Sequence, residues 1–232
     1  ELAGESASAA SALAAAASGE SQIAVSHALN PFVNHADRAS HIVVCRDGEI
    51  HLVPRAEATL THEPSVDLLR RLFRVDAPLS ASTRIASGEK AKEAVARAAE
   101  RAALYAAAQC LGLTERMVAI TVDYAKGRSQ FGKIIGSYQA IKHHLATVQV
   151  KLEFARPVVY AAVTRVGDLD SRALAAVSHA KLAAGDAAEL AARTGIQVHG
   201  AMGYSWEVDL HFYMKRAWAL AGAWGDRNRH AR

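Results

Sequence analysis

Two short stretches carry side chains of types able to meet an anionic ligand. One is Arg128-Ser129-Gln130-Phe131-Gly132, and the other runs from Gln197 through Gly200 to Gly203. A guanidinium is planar and permanently charged, and its forked N–H groups match phosphate or carboxylate oxygens. Gln197 offers an amide donor and an acceptor. Gly200 and Gly203, having no Cβ, let backbone N–H groups come close to an anion. Taken singly each has a plainer reading, because an Arg or Gln at a helix end is usually a cap or a solvated side chain and a Phe is most often core.

A third group, Glu207, Asp209 and His211, has the look of a cluster. On a helix Glu207 and His211 are four apart and share a face, which predicts a hydrogen-bonded strut. A metal centre would need a further ligand that the spacing does not supply. Cys45 and Cys110 fit no metal-ligand spacing and are read as buried thiols of a reducing compartment.

The elements that must position these residues change character near residue 85. Before it, Ile23–Val25, His41–Val44 and Ile50–Val53 are short apolar runs with turn chemistry at Arg46-Asp47-Gly48. That pattern predicts small antiparallel strands joined by tight turns. An Ala/Ser-rich stretch, Leu2–Ala17, leads into them as a weak helix or a loose segment. After residue 85 the period becomes helical. Ala103, Ala106, Cys110, Leu113, Met117, Ile120 and Tyr124 mark one helix; Ile134, Tyr138, Ile141, Leu145, Val148, Leu152, Ala155 and Val159 mark a second, with a kink expected at Pro157. A third is expected over Ser171–Val198, with small Ala180, Ala184, Ala187 and Ala191 on one face, and a fourth through Leu210, Met214 and Ala217. Gly167-Asp168 and Gly195 read as helix-end punctuation. The expected class is mainly α: a reduced β domain over 1–85, then an antiparallel four-helix bundle over 86–232.

Composition limits the partners. At 51% hydrophobic and 22% charged the chain is an ordinary globular one, which argues against whole-chain disorder. It contains no run of roughly 18 apolar residues and no signal-peptide pattern, so no membrane is expected and a cytoplasmic location is. The net charge of +4 is spread over helices and interleaved with acids, and nucleic acid is not expected as a partner. Glu1 stands where an initiating Met would, which suggests an upstream segment, such as a helical domain.

Arg128 to Ile135 followed by Gln139-Ala140-Ile141 resembles the R-x-x-F-G-x-x-I…Q-A-I signature of the acyl-CoA dehydrogenase C-terminal domain. Gln197 to Glu207 resembles the family's Q-x-x-G-G-x-G-[YF]-[ST]-x-E segment, with Ala201 replacing the second Gly. The likeness covers roughly residues 90 to 232 well and 20 to 75 loosely, the latter as a shortened middle β domain. It implies FAD as cofactor. In the family the Arg and adjoining Phe reach across a subunit interface to the FAD of a neighbour. By position Arg128, Gln130, Phe131, Gln197, Gly200 and Gly203 would bind that cofactor.

The same likeness exposes an absence. The family's reaction removes a proton from the α carbon of an acyl-CoA thioester and passes hydride from the β carbon to the flavin, which needs a carboxylate base. Its usual place in a Y-E-G-T segment falls, counting without gaps, on Trp224, and the rarer place in the first C-domain helix falls on Ala102. Asp226 and Glu100 each lie two residues away, about 200° round a helix and toward the wrong face; both read as exposed helix-end carboxylates. Glu1-Leu2-Ala3-Gly4-Glu5-Ser6 is at best a remnant of the family's flavin-ring loop, and Asn30 to Asn34 stands where its Trp strand would be. The resemblance therefore implies no catalytic residue in this chain. It points to the short, degenerate subunit of a heteromeric, α2β2-type actinobacterial acyl-CoA dehydrogenase acting on sterol-derived thioesters, a group whose Trp-Glu-x-Asp-Leu-His motif Trp206 to His211 matches. A catalytic partner subunit would then hold most of the acyl-CoA. The rival readings are a homomeric enzyme with its base moved to Asp226 and a non-enzymatic, DNA-associated flavoprotein on the same scaffold.

Overall fold

A computed structural model describes residues 6–168 and 170–232. Of the remnant expected over Glu1 to Ser6, residues 1–5 lie outside the described residues. The chain divides into two compact units, residues 1–98 and 99–232.

In the first unit α1 (Ala7–Ala17) is a full helix, capped by the Ser6 hydroxyl accepting the Ala9 N–H. Ala9 and Ala12 pack on Leu52. Strands β1 (Ile23–Ser26), β3 (His41–Arg46), β4 (Glu49–Pro54) and β7 (Arg84–Ser87) form one sheet in the order β1-β3-β4-β7. The β3–β4 hairpin turns at Asp47 (φ 51°) and Gly48 (φ 77°), the doubly positive turn that matches the natural strand twist. The strands were expected to be wholly antiparallel, but β1 pairs with β3 in parallel. Residues 27–40 form a long connection, long enough to return the chain in the same direction. In a second sheet, β2 (Val33–Asn34), β6 (Leu72–Asp76) and β5 (Thr59–Glu63), only β2 falls in a stretch the sequence set against a family strand, Asn30 to Asn34. Its strands alternate apolar and polar residues too briefly to stand out from loop, and Val33 and Phe73 join Ile42, Val44 and Val53 in one core.

The second unit is the helical one. Helices hold 59% of the chain, so the class is mainly α. Helix α2 (Gly88–Gly127), α3 (Gln139–Val163), α4 (Ser171–His199) and α5 (Leu210–Gly222) form the antiparallel bundle, with a short α6 (Arg227–His230) after it. The core holds Ala103, Cys110 and Met117 of α2, Val148, Leu152 and Val159 of α3, and Leu210 and Met214 of α5. It closes on Ala180, Ala184, Ala187 and Ala191 of α4, whose small side chains let neighbouring backbones approach. Helix α3 continues through Pro157. It begins at Gln139, five residues after the expected start, because Ile134 belongs to a hairpin described below. Asp170 caps α4 by accepting the Ala173 N–H.

Among the described residues no helix is long and apolar enough to cross a membrane, and no group of three or more potential ligands could hold a metal ion. Burial raises the Cys110 thiol to about 11 and raises that of Cys45 as well, the inert state expected of packed thiols.

Candidate cofactor-binding site

The first motif forms a rigid projection at the end of α2. The Arg128 N–H donates to Tyr124 O at 2.9 Å, and the Arg128 carbonyl accepts the Ile135 N–H at 2.8 Å, closing a hairpin of β8 (Ser129–Gln130) and β9 (Lys133–Ile134). Its two turn residues, Phe131 (φ 53°) and Gly132 (φ 80°), both have positive φ. Gly132 adopts this readily, but for Phe131 it is a strained state of about 1–3 kcal/mol. Three contacts hold the strain in place. The Tyr138 hydroxyl donates to Gln130 O at 3.3 Å, the Lys133 ammonium sits 4.2 Å from the Tyr138 ring centroid, and the Ser137 hydroxyl donates to Ile134 O at 2.6 Å. Gly136 lets this corner lie against α2, since a Cβ there would stand 2.9 Å from Ala125 O. The result is a phenyl ring 92% exposed beside an exposed Arg128 whose guanidinium has no ion-pair partner among the described residues.

The second motif ends α4. Gly200 (φ 60°, ψ −135°) is the C-cap, its N–H turned back to Ile196 O and Gln197 O. Gln197 is exposed on the last turn. Gly203 is buried, and a Cβ there would meet Ile196 O and Cα at 3.1 Å, so its small size serves close packing of the 200–204 turn on α4. The two motifs meet through Tyr124 and His199: the rings stack at 4.1 Å and the Tyr124 hydroxyl donates to His199 O at 3.3 Å. Arg128, Gln130, Phe131, Gln197 and Gly200 therefore belong to the same end of the bundle. Sequence reasoning did not give Tyr124, Tyr138 and His199 this role; Tyr124 was visible only as part of an apolar stripe.

The two places expected to lack a base belong to the other end. Ala102 lies on α2, 26 residues before Arg128, which directly follows the helix end, roughly 40 Å away at 1.5 Å per residue. Trp224 follows α5, which has run back along α4 to where the buried Lys181 ammonium donates to Leu220 O (2.8 Å), Ala221 O (2.9 Å) and Gly225 O (3.4 Å). Trp224 itself has φ 59°, packs partly on the bundle core, and its carbonyl pairs with His230 Nε2 at 3.1 Å. Asp226 is exposed and caps α6 by accepting the Arg229 N–H at 2.9 Å. Glu100, expected to be exposed, is buried in the middle of α2. One of its oxygens accepts the Gly167 N–H at 3.2 Å, fastening the α3–α4 connection to α2.

The expected Glu207–His211 strut does not form. Helix α5 starts only at Leu210, which leaves Glu207 in the preceding loop, exposed, its N–H bonded to Ser205 Oγ. His211 instead contacts Trp206 and Lys215.

Burial lowers the pKa of His199, of His211 and of His230 below the ordinary histidine value. In each the folded value lies below the unfolded one near 6.5, so the stability tied to the neutral ring is present above that pH and lost as pH falls through the folded value. Each proton taken up only on unfolding steepens the loss by about 1.4 kcal/mol per pH unit. Urea midpoints measured from pH 8 to pH 5 are expected to fall steadily below pH 6.5, and less steeply in His199→Gln. A flat profile would contradict this account.

Residues 90–231 match the family model "Acyl-CoA dehydrogenase, C-terminal domain", and the chain belongs to that family. It is 35% identical over 188 residues, 80% of its length, to acyl-CoA dehydrogenase IpdE2 of Mycobacterium tuberculosis, and it spans 53% of that relative. Among solved structures it resembles an acyl-CoA dehydrogenase from Mycobacterium smegmatis (TM-score 0.82, 18% identity, 92% of this chain and 67% of that one). It also resembles the ChsE4-ChsE5 complex from Mycobacterium tuberculosis (TM-score 0.77, 21% identity, 94% and 66%). FAD is the cofactor of this family. The residues present fit its pyrophosphate half: an exposed guanidinium without an ion-pair partner among the described residues, an exposed amide, and a phenyl ring projected into solvent, which gains stability only when something covers it.

Proposed function

We propose that this chain is an FAD-binding, non-catalytic subunit of a heteromeric acyl-CoA dehydrogenase of α2β2 type. Its substrate class is the acyl-CoA thioester, of sterol-derived kind on the strength of the Trp206 to His211 motif. The family membership, the IpdE2 likeness and the fold shared with the ChsE4-ChsE5 complex support the reading.

The observation that carries it is the indole at position 224. An indole has no basic lone pair, and the corner that holds it is fixed from two sides by Lys181 and His230. Asp226, the nearest carboxylate in sequence, is committed to capping α6. When bound, the flavin accepts the hydride leaving the β carbon of the thioester. The α proton goes to a carboxylate of the partner subunit. This chain's part is to hold the cofactor: Arg128 neutralises the pyrophosphate, Gln130 and Gln197 satisfy polar edges, and Phe131 covers apolar surface and excludes water. The long separation of the hairpin from positions 102 and 224 suits a hairpin that serves a neighbour's cofactor. Val150, Phe154 and Tyr160 of α3, all exposed, add apolar surface of the kind assemblies bury.

The test is co-expression with a catalytic acyl-CoA dehydrogenase-like chain from the same genome, followed by mass and flavin content. The pair is expected to purify as a yellow tetramer bleached by an acyl-CoA thioester, and the single chain to show no such bleaching. In the pair, Asp226→Asn should change turnover less than about twofold, whereas loss of a general base costs about 10²–10⁴. A yellow, active single chain, or a hundredfold loss in the Asp226 variant, would overturn the proposal.

A further inference from the structure

Trp206 stands in the loop between the 200–204 turn and α5, 66% exposed. An indole left this open is normally free to change rotamer, but this one is braced. The Lys215 ammonium lies 4.6 Å from its ring centroid, His211 meets it edge-on at 4.5 Å, and Phe212 does so at 6.0 Å. His211 is buried, its Nδ1 3.5 Å from the Lys215 nitrogen. An ammonium can only donate, so Nδ1 takes the acceptor role and Nε2 carries the hydrogen. That Nε2 is buried with no partner among the described residues, an unmet donor beside the ring.

We propose that Trp206 is a preformed stacking platform for the adenine of the dinucleotide, with Lys215 and His211 as the residues that position it. The inference rests on the reading of this chain as a binder of FAD and assigns it a residue outside the two motifs. Lys215 covers part of the ring, and two thirds of the residue is left open to solvent. The ring is fixed before the ligand arrives, so little rotamer freedom is lost on binding. The loop follows directly from Gly200 and Gly203, and the exposed Gln197 amide of the same segment supplies the donor and acceptor that a purine edge needs.

The test uses the co-expressed complex stripped of flavin and titrated with FAD, ADP and FMN. Trp206→Ala is expected to weaken FAD and ADP about ten- to hundredfold, the usual range for one stacked base, and to leave FMN unchanged. Trp206→Phe should restore most of the loss, and the mass of the complex should not change. Unaltered ADP affinity in an intact complex overturns the inference. So does a complex that falls apart in the variant with ADP affinity retained, since Trp206 would then anchor a protein surface. A wild-type complex that holds no FAD would overturn the cofactor-binding reading itself.

Discussion

Replacing Lys181 with Met is expected to lower the melting temperature by roughly 5–15 °C, the equivalent of about 2–4 kcal/mol for a chain of this size. The side chain is buried and its ammonium serves carbonyls of Leu220, Ala221 and Gly225. The last carbonyls of a helix have no partner within it and carry its negative pole, so a cation there satisfies them and the dipole together. Met keeps the stem's bulk and removes all the donors; Leu220 O keeps the Ala223 N–H at 3.3 Å, and the loss falls on the carbonyls of Ala221 and Gly225, at about 1–3 kcal/mol for each acceptor left unpaired. Two opposing effects keep the loss below that sum: water reaches some of the carbonyls once the corner loosens, and burial itself penalises the ammonium, as the lowered pKa of Lys181 records. Circular dichroism melts of the two proteins at pH 7 decide the matter. A melting point within 2 °C or so of the parent would mean that the corner at Trp224 is held by packing alone.

Lys181 also marks where the sequence stops being readable. On an Ala-rich helix it passes for a solvated lysine, because nothing local says that α5 ends against it some forty residues later. Glu100 failed to announce itself for the same reason: its partner, the Gly167 N–H, comes from a loop across the bundle. The four long helices were legible because each repeats its apolar face many times, so a misjudged residue hardly shifts the stripe. Short strands give no such repetition. β2 and β9 are two residues each, and Ile134 was drawn into the α3 stripe because one apolar residue fits either period. The Glu207–His211 strut was lost to a helix boundary three residues later than assumed. The motifs fared differently. Their residue types name a chemistry, but only the Tyr124–His199 stack puts them at one end of the bundle, and only the positive φ of Phe131 explains why the hairpin tip is presented outward.

That outward presentation fixes what Arg128→Ala should do to the assembled complex. Arg128 lies at the base of a hairpin whose backbone is closed by its own N–H and carbonyl, and neither depends on the side chain. The substitution is therefore expected to leave helix content and melting temperature of the isolated chain unchanged. Its guanidinium, exposed and without an ion-pair partner among the described residues, contributes nothing measurable to the fold, so what it contributes must appear on binding. A charge-assisted contact to a pyrophosphate is worth about 1.5–3 kcal/mol, which corresponds to about a ten- to 150-fold weaker hold on FAD. Lys at this position should recover only part of the loss, because an ammonium supplies the charge without the planar fork. Rising salt should weaken the parent's FAD affinity more than the variant's, since screening acts on a charge that the variant no longer has. Equal flavin retention and equal salt dependence in the two complexes would remove Arg128 from the site, and the hairpin would then have to act through Phe131 alone.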